Sequence, residues 1–118
     1  MTFLQELENL GVDVQEGLGR VMDDESLYVM MCGMFVDSVH SAPISLDEFD
    51  GASLDELTGK IHALKGTTGN LSLTPLFTRY EKSLTLLRAG RPAEAKAVYQ
   101  ELLPIQAQIL DCIQRNQG

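Results

Sequence analysis

Apolar positions along this chain recur every three or four residues nearly from end to end, and the strict alternation of a half-buried strand is essentially absent. That period predicts helices. A short amphipathic segment over 2–9 places Phe3, Leu4 and Leu7 on one side, and Gly11 closes it. The segment 14–22 repeats Val14, Leu18 and Met22 at every fourth position. "DDES" at 23–26 then supplies capping residues for a longer helix over about 25–41, with Leu27, Met31, Met34, Phe35 and Val39 inward. "PISLDEFDGA" at 43–52 reads as a loop with room for one helical turn. Ser53-Leu-Asp-Glu56 fits a capping box and opens a helix that runs to about Leu71. Thr74-Pro75 reads as a cap followed by proline at the first helical position, opening a helix lined by Leu76, Tyr80, Leu84 and Leu87 and closed by Gly90. Pro92 begins the last helix, with Val98, Leu102, Ile105, Ile109 and Cys112 inward and a kink expected at Pro104.

Four substantial helices joined by short turns predict an all-α fold, an antiparallel up-and-down four-helix bundle with short extra helices at its N-terminal end. No internal repeat, low-complexity tract or Pro/Ser-rich linker divides the chain, so residues 1–118 read as a single domain. Beginning at Met1 and ending soon after the last helix, it reads as self-contained, although a domain excised from a larger chain would look the same. Hydrophobic residues make up 44% and charged residues 22%, ordinary values for a globular chain and not those of a disordered one. The net charge of −8 argues against nucleic acid or an anionic membrane as partner, because both need a basic face.

Residue chemistry narrows the picture further. "MTFLQELENL" carries acids where a secretory leader carries bases. The longest apolar run, "LYVMMCGMFV" at 27–36, is about half of what a bilayer crossing needs. Cys32 and Cys112 form neither a disulfide framework nor a zinc pattern; each falls on an apolar helical face, so buried thiols in a reducing, cytoplasmic setting are expected. Met30, Met31 and Met34 read as core filler, and His40, near a helix C-terminus, as structural.

"IHALKGTTGNLS" at 61–72 does not fit this bland scheme, because glycine destabilises a helix interior and Gly59, Gly66 and Gly69 all fall within one helix. At about 100° per residue, Leu54, Leu57, Ile61, Leu64, Thr68 and Leu71 gather on the core side, and His62 points roughly 130° away from the middle of that stripe. The three glycines lie on the His62 side, Thr58 precedes His62 by a turn, and Lys65 follows it by one. A neutral imidazole is nucleophilic near neutral pH, a neighbouring ammonium offsets negative charge, and bare backbone leaves clearance. Nucleophile, cation and clearance together suit carrying an anion such as a phosphoryl group. A metal site is not expected, since neither cysteine nor His40 has usable spacing to His62.

"IHALKGTTGNLSLTPL" at 61–76 resembles the signature of histidine-containing phosphotransfer (HPt) domains: His62, Lys65 at +3, Gly66 at +4, the pair Asn70-Leu71, and Leu76 at +14. "GVDVQEGLGRVMDDESLYVMMCGMF" at 11–35 is similar to the opening of that family, with a Gly-apolar-Asp start and a Gly-Leu-x-Arg stretch before a long helix. The resemblance covers most of the chain. It implies a four-helix bundle with His62 as the phosphoacceptor through Nε2, Lys65 favouring the phosphoryl oxygens and Gly66 giving a partner clearance. It implies no kinase activity and no cofactor on this chain, with magnesium held by the partner. The implied partners are response-regulator receiver domains and a sensor (hybrid) histidine kinase.

Two positions depart from the family pattern. Ser72 stands where a glycine often follows the Asn-Leu pair, which bears on how the helix ends. Leu84 stands at +22, where many members carry a Glu or Gln near the histidine; Tyr80, Glu81 and Thr85 are the possible substitutes. The sequence thus points first to a carrier relaying phosphate between receivers, with a non-phosphorylated adaptor of the same fold as the alternative. An enzyme comes third, because no acid–base partner is positioned beside the nucleophile. Docking is expected to centre on Thr58, Gly59, Ala63, Gly66 and Gly69. Phe3 or Leu7 of the first helix either adds to that contact or simply caps the bundle. A monomer is the default.

Overall fold

Side-chain caps set where the first helices begin. A computed structural model describes residues 1–117 of the chain. Helix α1 (Phe3–Asn9) opens on a capping box in which Thr2 Oγ1 accepts from Gln5 N and Gln5 Oε1 accepts from Thr2 N. Asp13 caps α2 (Val14–Gly19) through the Glu16 amide, and Asp24 caps α3 (Glu25–Ser41) through the Leu27 amide. A 3-10 turn (Leu46–Asp50) precedes α4 (Leu54–Asn70), α5 (Thr74–Arg88) and α6 (Pro92–Arg115). The protein is all-helical, with no strand among the described residues. No helix among them is long and apolar enough to cross a membrane.

The caps expected later in the chain fall elsewhere. Ser53 precedes α4 but makes no side-chain bond, because its backbone (ψ 46°) is not in the extended conformation that turns a cap hydroxyl over the first turn. The capping box lies one element earlier, at Ser45 and Glu48, inside the segment read as a loop. Glu48 also takes Lys60 Nζ at 2.9 Å, so the 3-10 turn is tied to α4. Thr74 is within α5 rather than capping it; Leu73 holds the cap position and Pro75 falls one place further in.

Helix α2 stops at Gly19 instead of reaching 22. Met22 and Asp23 both adopt left-handed backbone (φ 56° and 61°), and Asp23 N turns back to Leu18 O, which leaves Met22 in solvent. In α3 the buried stripe is Tyr28, Cys32, Phe35 and Val36, rotated from the predicted one. Met31 and Val39 pack at its edge, whereas Met30 and Met34 are more than half exposed and fill no core. The rotation follows from chemistry: Tyr28 buries its ring because its hydroxyl finds the Leu71 carbonyl at 2.8 Å.

The core stripe of α4 holds for Leu57, Ile61, Leu64, Thr68 and Leu71, all buried, whereas Leu54 in its first turn is only half-buried; that of α5 is as predicted, with Leu76, Tyr80, Leu84 and Leu87. Helix α6 runs unbroken through Pro104, which faces solvent; Val98, Leu102, Ile109 and Cys112 are buried, and Ile105 only half so. Packing joins α4 to α5, α5 to α6, α6 to α3 and α3 to α4. Aromatic contacts seal the centre, with the Phe49 and Tyr99 rings 5.3 Å apart and Tyr80 6.3 Å from Tyr99. Both thiols are buried as expected, and burial pushes Cys32 up to about 12 and Cys112 up to about 11, so neither forms thiolate near neutral pH.

Candidate functional site

His62 lies in the middle of α4 with its imidazole in solvent, because the two residues that bracket its turn on the core side, Ile61 and Leu64, are buried. Along the same outward ridge, Ala63 is exposed, and a Cβ added at either Gly59 or Gly66 would meet nothing within 4 Å. Gly66 is one turn beyond His62, so one flank of the imidazole is bare helix backbone. Thr58 is half-buried, and its hydroxyl is already spent on Leu54 O at 2.7 Å. Gly69 differs from the other two glycines. A side chain there would lie 3.0 Å from the Phe77 ring, so Gly69 serves the packing of α5 on α4 and not clearance for a partner.

Lys65 runs half-buried beside the histidine, and its Nζ is 3.8 Å from Glu81 Oε2 on α5. This contact separates the three substitutes considered for the family's polar position. Tyr80 is buried and accepts from the Gln106 amide, and Thr85 bonds back to the Glu81 carbonyl of its own helix. Leu84 itself is core. Glu81 alone faces the site, and it acts on Lys65, not on the imidazole.

Beside His62 runs a groove of about 360 Å³. Its lining comes from His62, Lys65, Gly66, Gly69 and Asn70 of α4, from Glu16 of α2 and Arg20 just past its end, from Ser72 between α4 and α5, and from Thr74 and Phe77 of α5. Sequence reasoning did not name Glu16, Arg20, Ser72, Thr74 or Phe77 as site residues. Arg20 stood in the Gly-Leu-x-Arg stretch, but a helix of six residues offers too little periodicity to show which way it faces. Leu7, considered for docking, is fully buried and therefore caps the core; Phe3 is half-buried against it. Among the described residues, no group of three His, Cys, Asp or Glu side chains is placed to hold a metal ion.

Ser72 explains how the groove floor is built. Leu73 N bonds Thr68 O at 2.9 Å and Ser72 N bonds Gly69 O at 3.2 Å, the paired bonds of a Schellman ending to α4. The position after the cap must then be left-handed, and Ser72 adopts φ 56° although it is not glycine. Its side chain compensates: Ser72 Oγ donates to Glu16 Oε1 at 2.8 Å, and its carbonyl accepts from Asp13 N at 3.1 Å. The serine therefore closes the helix as a glycine would and adds a link to α2. The Ser72 hydroxyl, and after it Arg20, hold the Glu16 carboxyl below the usual carboxylate range. A depressed carboxylate stabilises the fold above its ordinary pKa and loses that contribution as pH falls through the lowered value. Ser72→Ala is accordingly expected to lower the thermal midpoint most above pH 5, with the gap to wild type narrowing below pH 4. Melting curves across pH 3–7 check this.

Comparison with protein-family models, with curated proteins and with solved structures finds no match for this chain.

Proposed function

We propose that this protein is a histidine phosphotransfer protein, accepting a phosphoryl group on His62 from a receiver-domain aspartyl phosphate and passing it onward in a two-component phosphorelay. The observation that carries the reading is an exposed imidazole with a cation one turn away and open backbone at Gly59 and Gly66. Phosphoryl transfer asks little covalent chemistry of the protein and much positioning and charge stabilisation. An imidazole nitrogen lone pair forms the N–P bond while the acyl phosphate O–P bond breaks. The aspartate carboxylate leaves with the electron pair, and the ring sheds its remaining proton to water as the product ionisation requires. Lys65 supports the phosphoryl oxygens. Its pair with Glu81 is exposed enough to be given up for little, since such pairs are worth about 0–1 kcal/mol. Magnesium, where transfer needs it, belongs to the receiver.

The fold is consistent with this role. The ring of contacts among α3, α4, α5 and α6, with only three residues between α4 and α5 and three between α5 and α6, supports an antiparallel up-and-down four-helix bundle. In that arrangement a site on an outward helix face is held rigidly.

Incubation with a panel of receiver domains prephosphorylated on aspartate tests the reading. Wild type is expected to gain one acid-labile, base-stable phosphoryl group by intact mass, and His62→Gln none. Receivers that bind without labelling would assign the adaptor role instead.

A further inference from the structure

Two cations line the His62 groove, and each is held by an exposed carboxylate across a long contact. Lys65 Nζ is 3.8 Å from Glu81, and Arg20 Nη2 is 3.4 Å from Glu16. We propose that Arg20 is a second phosphoryl-binding cation of this groove, turning from Glu16 to the phosphoryl oxygens carried by His62. The inference rests on the phosphotransfer reading and assigns it a residue from a separate helix.

Three observations support it. First, Arg20 lines the same groove as His62 and Lys65, from the end of α2 while they belong to α4, so a group carried on the imidazole into that groove shares it with both cations. Second, Glu16 does not depend on Arg20. The same Oε1 accepts from Ser72 at 2.8 Å, the shorter bond, and Ser72 is the larger cause of its lowered pKa. Glu16 stays ionised and anchored when Arg20 departs, so the switch strands no buried charge. Third, α2 is fixed where Arg20 needs it. Asp13 N bonds Ser72 O, and Gly17 packs directly against Tyr28 and the Leu71 carbonyl.

Charge and shape then favour exchange. A phosphoryl dianion offers more charge than one carboxylate, and its oxygens match the planar guanidinium fork in a bidentate pair. Glu16 becomes the resting partner that keeps Arg20 at the groove edge while His62 is unmodified. The charged side chains facing the phosphoryl position are Arg20 and Glu16 from α2 and Lys65 from α4, with Glu81 behind Lys65.

The test uses the full chain and no receiver. In a His40→Gln background only His62 remains to be phosphorylated, since the chain has two histidines. Phosphoramidate is the donor: its P–N bond breaks, ammonia leaves, and the N–P bond to the imidazole forms. The readout is the 31P NMR titration midpoint of the phosphohistidine in wild type, Arg20→Gln, Arg20→Lys and the control Arg115→Gln, a cation outside the groove that pairs with Glu6 and Asp111. A nearby cation favours the dianion over the monoanion and disfavours the protonated ring, so its loss raises either ionisation. Arg20→Gln is expected to raise the midpoint by roughly half a pH unit, the scale of an opposite charge partly screened by water. Arg20→Lys should restore part of the lost interaction, and Arg115→Gln should leave the midpoint at wild type.

A midpoint in Arg20→Gln equal to that of Arg115→Gln overturns the inference, even if receiver-driven transfer falls, because Arg20 would then be meeting the partner. A shifted midpoint with no transfer from any receiver keeps Arg20 as a phosphoryl-binding residue and removes the relay reading. Failure of phosphoramidate to label His62 removes both.

Discussion

Gly66→Leu is expected to lower the rate of phosphoryl uptake from a receiver about a hundredfold while making the protein more stable. The two effects have separate causes. A Cβ built at position 66 meets no neighbouring atom within 4 Å, so a side chain starts from open space there. Replacing glycine by leucine inside a helix gains roughly 0.8 kcal/mol, which raises the midpoint by about 3 °C in a domain of this size. The same leucine stands one turn from His62 and covers the bare flank of the imidazole. In-line transfer needs donor phosphorus and acceptor nitrogen at about 3–3.5 Å, and a misplacement of about 1 Å costs on the order of a hundredfold. Phosphoramidate is small enough to reach the ring past the leucine, so labelling by that donor should fall far less than labelling by a receiver. Loss of transfer with a raised midpoint cannot be ascribed to unfolding. Transfer at the wild-type rate would mean that partners approach from another side.

The long helices were legible because each carries a buried stripe several turns long. Leu57, Ile61, Leu64 and Thr68 on α4, and Leu76, Tyr80, Leu84 and Leu87 on α5, are buried as the period demands. The misreadings fall where a single local choice decides. Tyr28 and Met31 both fit a helical stripe, and only the distant Leu71 carbonyl, 43 residues away, determines that Tyr28 turns fully inward and Met34 outward. Ser45 and Ser53 both begin plausible capping boxes, yet only Ser45 has the extended backbone that a cap needs.

The site divides in the same way. His62, Lys65, Gly59 and Gly66 share one helix, so their mutual placement follows from the sequence alone. Gly69 shares that helix too, but its neighbour Phe77 comes from α5, and its role as a packing glycine could be seen only in three dimensions. Arg20 and Glu16 reach the groove across more than 40 positions, through Ser72 and Asp13. The sequence offered Ser72 as a departure; its left-handed backbone and its bond to Glu16 give that departure a structural purpose.

Gly17→Ala should be a strongly destabilising single-methyl change, although α2 has only six residues. An added Cβ would lie 2.7 Å from Tyr28 Cε1 and 2.8 Å from the Leu71 carbonyl oxygen. Neither can retreat easily. The Tyr28 ring is fully buried and its hydroxyl donates to that same carbonyl at 2.8 Å, while Leu71 closes α4 within the Schellman ending. Overpacking of this kind costs about 1–3 kcal/mol, and a buried hydroxyl or carbonyl left unpaired adds about 1–3 kcal/mol. A fall of roughly 10 °C in the thermal midpoint follows. Tyr28→Phe removes the hydrogen bond without the clash and should cost about 1 kcal/mol. In the double variant the two losses should fall short of additive, since the alanine already forces that bond apart. A midpoint for Gly17→Ala within 2 °C of wild type would show that α2 does not rest on Tyr28 and Leu71. Arg20 would then lose the fixed base that its proposed role requires, so this stability measurement also bears on that proposal.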